Sequence, residues 1–471
     1  MKTTIKSLGA VILGAGLFTS GCAKKQMSSF QSLKNPEVAA QLKSFVAEKE
    51  AQANAATNKM PSEFRAFFAA AAKGDWLAVS NAFVEFRKHA GQYEHSDKTK
   101  IDERLRGTAW QAVLEIWGAF DAFGEGDEKY STMFGNDIIQ SIPAGSIYFG
   151  GADPGRFVVT ALMESHAAGK PFFALSQNPL TDATYLHYLR AMYGGEIYTP
   201  TDEDLQKSLQ DYMTDAQRRL AHDRQFPNEP RQLKPGDEDV RQDSNGRIQV
   251  SGQMSVIGIR ELLTKTIFDK NPDREFYVVE GFPLDWMYPY LEPHGLIMKI
   301  NRQQLPELSD EIVQRDSDYW TKTVTPMIGG WLKPDTTIEE VAAFAEKIHV
   351  KKDLSGFAGD PQFSQSEYWC KNFSKLRSSI GGLYAWRAQH AADAGEKKRM
   401  NDAADFAFRQ SWALCPYSPE TVLRYVNLLI SQNRRADALL VAETAAKTPE
   451  IHGDIFRVLV TDLGNPNINV K

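Results

Sequence analysis

The chain has 471 residues, a formal net charge of −6 and 42% hydrophobic residues. That length holds two or three domains. The composition is that of a globular protein, and the acidic balance argues against nucleic acid or an anionic surface as the main partner.

The first 22 residues read as an export signal. Lys2 and Lys6 form a positive start, and Leu8 to Phe18 is an apolar core too short to span as a permanent helix. Thr19-Ser20-Gly21-Cys22 follows and resembles a bacterial lipobox, in which Cys22 is lipidated and becomes the new N-terminus. Thr19 stands where Leu is usual. The competing reading is a plain signal peptide or anchor that contains a cysteine. Ala23 after Cys22 points to the outer membrane, facing the periplasm, by analogy with enteric bacteria. Residues 23–60 then read as a tether and a first helix.

Residues 61–135 read as helical hairpins. Phe64, Phe67, Phe68 and Ala71 recur at helical spacing, Lys73-Gly74-Asp75-Trp76 is a turn, and Val79, Phe83 and Phe86 start a second apolar face. The pattern is that of a degenerate tetratricopeptide-type hairpin. Ile101 to Phe123 adds another helix, closed by Gly124-Glu125-Gly126-Asp127.

Residues 136–330 read as an α/β domain. Short apolar runs, polar turns and helical patterns alternate from Ser146 to Tyr198, the order of a β-α-β-α-β unit. Strands are expected at Ile147–Phe149, Phe172–Leu175, Glu196–Thr199, Ile248–Val250, Phe276–Val279 and Leu296–Ile300. Phe226 to Arg247 reads as an exposed insertion. The expected fold is a Rossmann-like, mainly parallel sheet flanked by all-α, tetratricopeptide-like regions. In such sheets ligands sit where strands end and helices begin.

The candidate ligand residues follow from that rule. Gly150-Gly151-Ala152-Asp153-Pro154-Gly155-Arg156 reads either as an anion pocket at a helix start or as a well-capped turn. Gln177, Asn178 and Asp182 close the second strand, and Glu280 follows the Phe276 strand. Together with Asp153 and Arg156 they would form one polar cleft, with Asp153 and Glu280 as acid–base candidates for an enzyme acting on envelope glycans. Trp286 and Tyr288 lie in an aromatic, Pro-rich stretch that could stack on sugar rings or form a rigid crossover. The glycine spacing fits neither a dinucleotide fingerprint nor a P-loop, so no nucleotide cofactor is expected. No H-x-x-x-H, H-E-x-x-H, C-x-x-C or G-x-S-x-G occurs, so metal, thiol and serine-hydrolase chemistry lack support.

Residues 331–366 read as a connecting segment, and 367–471 as a helical domain with tetratricopeptide-like matches at Ala404, Phe408, Pro416, Ala438 and Ala445. Such helices offer a surface for a protein or peptide. Cys370 and Cys415 are candidates for one disulfide, or are two small residues of a helical core.

The phrases SIYFGGADPGRF, FFALSQNPLTDATYLHYLRAMYG and FYVVEGFPLDWMYPYLEPHGLIMKI, with the helical tail, resemble the soluble region of a group of bacterial envelope proteins. Some members carry that region behind a multi-span part similar to protein O-mannosyltransferases. The likeness covers about Asn136 to Asn433. It implies a shared extracytoplasmic domain. It does not carry sugar transfer over, because no 18-residue apolar run follows the signal here. The function expected is a lipid-anchored binding or scaffolding protein with a protein partner and a glycan or anion cleft; the alternative is an enzyme or accessory subunit of envelope glycan transfer or processing.

Overall fold

The computed structural model describes residues 33, 35–57, 60–89, 107–151, 154–233, 239–242, 248–279, 281, 283–448 and 453–465. Cys22, Asp153 and Glu280 lie outside them. The fold is mostly helical, 68%, with a small mixed sheet of five strands. The chain divides into two compact units, one of described residues up to Tyr277 with Leu284–Trp286, the other of Val278–Pro283 and the described residues from Met287.

The amino-terminal unit opens with helices α1 (Pro36–Ala55), α2 (Ser62–Ala72), α3 (Trp76–His89), α4 (Ala109–Gly126) and α5 (Glu128–Ser141). Pro36 at the start of α1 and the Asn35 side chain on the Glu37 N–H fix its first turn. The expected α2–α3 hairpin forms, with Gly74 at φ 69° in the turn. Its core is aromatic: Phe83 stacks on Trp117 at 4.0 Å and on Trp110 at 5.6 Å. Asp127, at φ 84°, ends α4 and caps α5 by accepting from the Lys129 and Tyr130 N–H groups.

Strand β1 (Ile147–Gly150), helix α6 (Pro154–Leu162), strand β2 (Phe173–Ser176) and helix α7 (Ala183–Tyr193) follow in the expected order. β1 and β2 are parallel, with Gly150 opposite Ser176. Helix α6 runs for nine residues. It stops at Leu162, and the chain folds back through the bridge between Ser165 and Lys170, turning His166 inward.

The expected third strand, Glu196–Thr199, does not form. Tyr198 spends its backbone on one side chain instead: its N–H donates to Asn271 Oδ1 at 2.8 Å and its carbonyl accepts from Nδ2 at 3.0 Å. Helix α8 (Asp202–Gln225) starts on a capping box of Thr201 and Asp204. The insertion after it holds strand β3 (Asp239–Gln242), antiparallel to β4 (Ile248–Ser251). Helix α9 (Gln253–Lys270) and strand β5 (Phe276–Val279) close this part of the chain.

Strands β6 (Leu291–His294) and β7 (Ile297–Ile300) form an antiparallel hairpin through Gly295 at φ 62°. The five-stranded sheet has the order β2-β1-β5-β7-β6. It is mixed rather than mainly parallel, because β6 lies within the stretch expected to be a crossover loop.

The carboxyl-terminal unit adds α10 (Asp310–Ile328), α11 (Ile338–Ala345), α12 (Pro361–Gln365), α13 (Glu367–His390), α14 (Ala394–Leu414), α15 (Pro419–Ser431), α16 (Arg435–Ala446) and α17 (Gly453–Gly464). The segment expected to be a connector thus carries helices. Thr337 and Glu340 form a capping box for α11, which runs into a π-helical turn at Glu346–Val350. Helices α13 and α14 pack as one hairpin, α15 and α16 as the next, and α17 packs on α16. Asn433, at φ 60°, makes the α15–α16 turn. Asp405 of α14 ties the hairpins together: it accepts from Arg434 at 2.8 Å, pairs with Arg409 at 2.9 Å and accepts from the Tyr425 hydroxyl at 3.2 Å.

Candidate functional site: the ends of β1 and β2 over a buried ionic cluster

Parallel pairing of β1 and β2 sets two strand-end turns side by side. A Cβ at Gly150 would lie 3.2 Å from the Gly155 carbonyl oxygen, so the turn into α6 would have to give by a few tenths of an ångström to admit a side chain. The Tyr148 hydroxyl donates to that carbonyl at 2.7 Å and pins the first turn of α6 to β1. Across the pair, the Ser176 N–H donates to the Tyr185 hydroxyl at 2.7 Å, and the Gln177 N–H donates to the Gly150 carbonyl.

The predicted residues here meet different fates. Asn178 accepts from Arg260, and Asp182 caps α7 through the Thr184 N–H. Both are therefore spent on packing neighbours. Gln177 is fully buried, and neither atom of its side-chain amide has a hydrogen-bond partner. Arg156 does not face an open pocket. It turns into the core, where Nη2 lies 3.3 Å from both Gln111 Oε1 and Glu115 Oε1, and its guanidinium packs on the rings of Phe157 and Tyr185. Its Nε–H is left without a partner.

Arg156 thereby joins a cluster that sequence reasoning missed. Lys49 of α1 is fully buried, with Nζ 2.9 Å from Glu115 Oε2, 2.6 Å from His166 Nδ1, 3.0 Å from the Tyr188 hydroxyl and 2.9 Å from Gln52 Oε1. The Tyr188 hydroxyl donates to Glu115 Oε2 at 2.8 Å. His166 Nδ1 also lies 3.4 Å from Glu115 Oε2, and its Nε2 lies 3.4 Å from the Ala174 carbonyl. Burial pushes the Glu115 pKa up, but Lys49, His166 and Arg156 outweigh it and hold the carboxyl well below the usual range. Burial, then the Lys49 charge, pushes His166 down. Burial also lowers Lys49, against the pull of Glu115. With an ionised carboxylate and three further acceptors around Nζ, the ammonium form is the one this shell fits.

One sequence signal marked this cluster. Lys49 lies on the buried stripe of α1, after Leu42, Phe45 and Val46 and before Ala53. A lysine on an apolar face with its head fully enclosed needs an ionic partner.

The aromatic stretch is used for packing. Trp286 donates from Nε1 to Thr264 Oγ1 at 3.1 Å and lies 5.2 Å from the Phe268 ring. Tyr288 stacks on Trp386 at 5.5 Å, and its carbonyl accepts from Arg387. Cys370 and Cys415 are free and buried, so of the two readings the structure has small residues of a helical core and no bridge between them. Cys370 Sγ donates to the Phe363 carbonyl at 3.1 Å, and burial pushes both thiols up.

In the carboxyl-terminal unit a second enclosed pair joins Asp316 to Arg377 at 2.7 Å, with the Tyr384 hydroxyl at 2.8 Å. His349, in the π-helical turn, lies between Phe344 and Tyr417, and neither ring nitrogen makes a well-formed hydrogen bond. Burial, then the Lys352 charge, lowers its pKa to about 4. A shallow depression on α5, lined by Met133, Asn136, Asp137, Gln140 and Ser141, contains none of the predicted residues.

Among the described residues no three His, Cys, Asp or Glu side chains are grouped to hold a metal, and no helix is long and apolar enough to cross a membrane. The chain matches no protein-family model, no curated protein and no solved structure.

Proposed function

We propose that the chain is a lipid-anchored bacterial envelope protein with a binding or scaffolding role, held to the membrane through Cys22 and facing the periplasm. The observation that carries the scaffold is the run of helical hairpins α13–α14 and α15–α16, continued by α17. Tetratricopeptide-like arrays use such stacked hairpins to hold proteins and peptides. The α/β part, Rossmann-like in its β1-α6-β2 order, is the second binding element, taking a glycan or small anion at its strand ends.

Binding is favoured over the rival, an enzyme or accessory subunit of glycan processing. Lys49, Glu115 and His166, the ionisable groups of the enclosed cluster, are each no more than 2% exposed and are spent on one another. General acid–base catalysis needs such a group within hydrogen-bond reach of substrate.

The test uses the full chain in a bacterial host with an outer membrane. Palmitate labelling and membrane fractionation of wild type are compared with Cys22→Ala. Label and membrane association are both lost if the anchor reading is right; membrane association that survives the substitution unchanged overturns it. For the scaffold, Val458→Glu alters α17 at a residue 55% exposed. Partner proteins cross-linked to wild type and lost with that variant support the array as the contact surface. Identical cross-linked species from both proteins remove this face of it.

A further inference from the structure

We infer that the turn at 165–167, with Glu115 and Tyr188 behind it, binds a small zwitterion with one primary ammonium and one carboxylate, as in an amino acid. In this structure Glu48 and Lys49 of α1 occupy that site as the chain's own ligand. This goes beyond the strand-end reading above and rests on neither the anchor nor the scaffold.

Two observations carry it. The first is that α1 brings both charges to one place, with Lys49 Nζ 4.0 Å from Glu48 Oε1. The Glu48 carboxylate accepts from the turn, Oε2 from Ser165 Oγ at 2.5 Å and Oε1 from the Ala167 N–H at 2.9 Å. The Lys49 ammonium is met by His166 of the same turn, 2.6 Å away at Nδ1. Glu115 Oε2 stands at 2.9 Å and the Tyr188 hydroxyl at 3.0 Å. Gln52 Oε1, at 2.9 Å, is the contact that α1 itself supplies. Donors around the carboxylate, and an anion with further polar atoms around the ammonium, are the two halves of a zwitterion receptor.

The second observation is that this receptor holds its shape without α1. Ser165 and Lys170 exchange backbone hydrogen bonds at 3.2 and 2.9 Å, and Ser165 Oγ accepts from the Ala168 N–H at 3.1 Å. The Tyr193 hydroxyl donates to the His166 carbonyl at 2.8 Å. Arg156 holds Glu115 by its other oxygen at 3.3 Å, and Tyr188 donates to Glu115 at 2.8 Å. A receptor ordered in advance spends less of its binding energy on fixing its own side chains.

Depth sets the direction of entry. The Glu48 side chain is 21% exposed, whereas those of Lys49, Glu115 and His166 are enclosed. The ammonium of a ligand therefore lies inward and its carboxylate outward. Binding requires the Glu48–Lys49 pair to leave, so α1 is a strap that closes the site until a zwitterion competes for it.

The test uses the full-length protein at neutral pH and constant ionic strength. The probe is γ-aminobutyrate, whose chain lets its poles reach the spacing of Glu48 and Lys49. Its N-trimethyl derivative has the same charges and no N–H donor, and is the control for general solute effects. With Glu48→Ala and Lys49→Ala combined, γ-aminobutyrate is expected to raise Tm saturably above the derivative. Adding Glu115→Gln lowers its affinity, by equilibrium dialysis, at least about tenfold. In wild type, backbone hydrogen exchange of α1 around Lys49 is expected to quicken with γ-aminobutyrate and not with the derivative, while α4 and α7 keep their protection. That arm decides the question even where the combined variant does not fold. Equal effects of the two solutes on the variant, or α1 exchange in wild type that does not respond to the probe, overturn the proposal. Neither result touches the Cys22 or Val458 tests.

Discussion

Lys49 Nζ stands 2.9 Å from Glu115 Oε2, with both side chains closed off from solvent. The two sit on α1 and α4, and this contact joins the first helix to the α/β elements through Arg156, His166 and Tyr188. The pair is asymmetric. Glu115 is the one enclosed anion facing two cations, whereas Lys49 is one of two cations.

That asymmetry orders two substitutions. Glu115→Gln keeps the shape but strands Lys49 and Arg156, and is expected to cost about 3–5 kcal/mol. Lys49→Met removes the excess cation and leaves Glu115 with Arg156, so it costs less. Urea unfolding of the two variants measures the order. Equal losses would show that the charge imbalance has no energetic weight.

His349 gives the fold an acid-sensitive component. Its folded pKa of about 4 lies below the unfolded value of about 6.5, so the unfolded chain binds the proton more tightly. The stability from keeping His349 neutral is whole above pH 6.5 and is lost as pH falls from there to about 4. Its full size, from the difference in pKa, is about 3 kcal/mol. His166 is lowered too and adds a slope of the same sign. His349→Phe should flatten the dependence of unfolding free energy on pH over that interval, read from urea melts at closely spaced pH. An unaltered slope would mean that the ring is not enclosed.

The two cysteines of the carboxyl-terminal unit should be chemically silent. Their thiols are enclosed and pushed up, and thiolate is the reactive form. Iodoacetamide at neutral pH is expected to label neither Cys370 nor Cys415 in the folded chain and both in denaturant without reductant. Mass spectrometry of peptides decides it. A bridged Cys370–Cys415 peptide would contradict the free-thiol state.

Helix existence was legible wherever apolar spacing was strong, as in α2 and α3, and β1 and β5 were legible as apolar runs. What failed had local causes. Glu196–Thr199 has the composition of a strand, but the Asn271 amide takes its backbone bonds, and that residue is far along the chain. The connector at 331–366 contains Thr337-x-x-Glu340, a helix-start signal passed over. Glu261 and Lys265 have the spacing of a helix-surface pair. Glu261 instead accepts the Asp285 N–H, and Lys265 pairs with Asp269. At the strand ends the sequence placed Arg156, Gln177, Asn178 and Asp182 in one neighbourhood but not which way each side chain turns. Arg156 turns inward because Glu115 is there, and no spacing rule relates positions 115 and 156.

The attachments of α1 also have a mechanical meaning. A pull arriving along the chain before Pro36 meets the Asn35 N–H on Glu128 first, then Gln41 on the Met163 carbonyl, then Lys49 on Glu115. The first is exposed and yields easily, the second is half-buried, and the third can part only by drawing an ammonium out of the core. Tension on this end is therefore resisted in steps of rising strength, the second of which already bears on the chain at the end of α6.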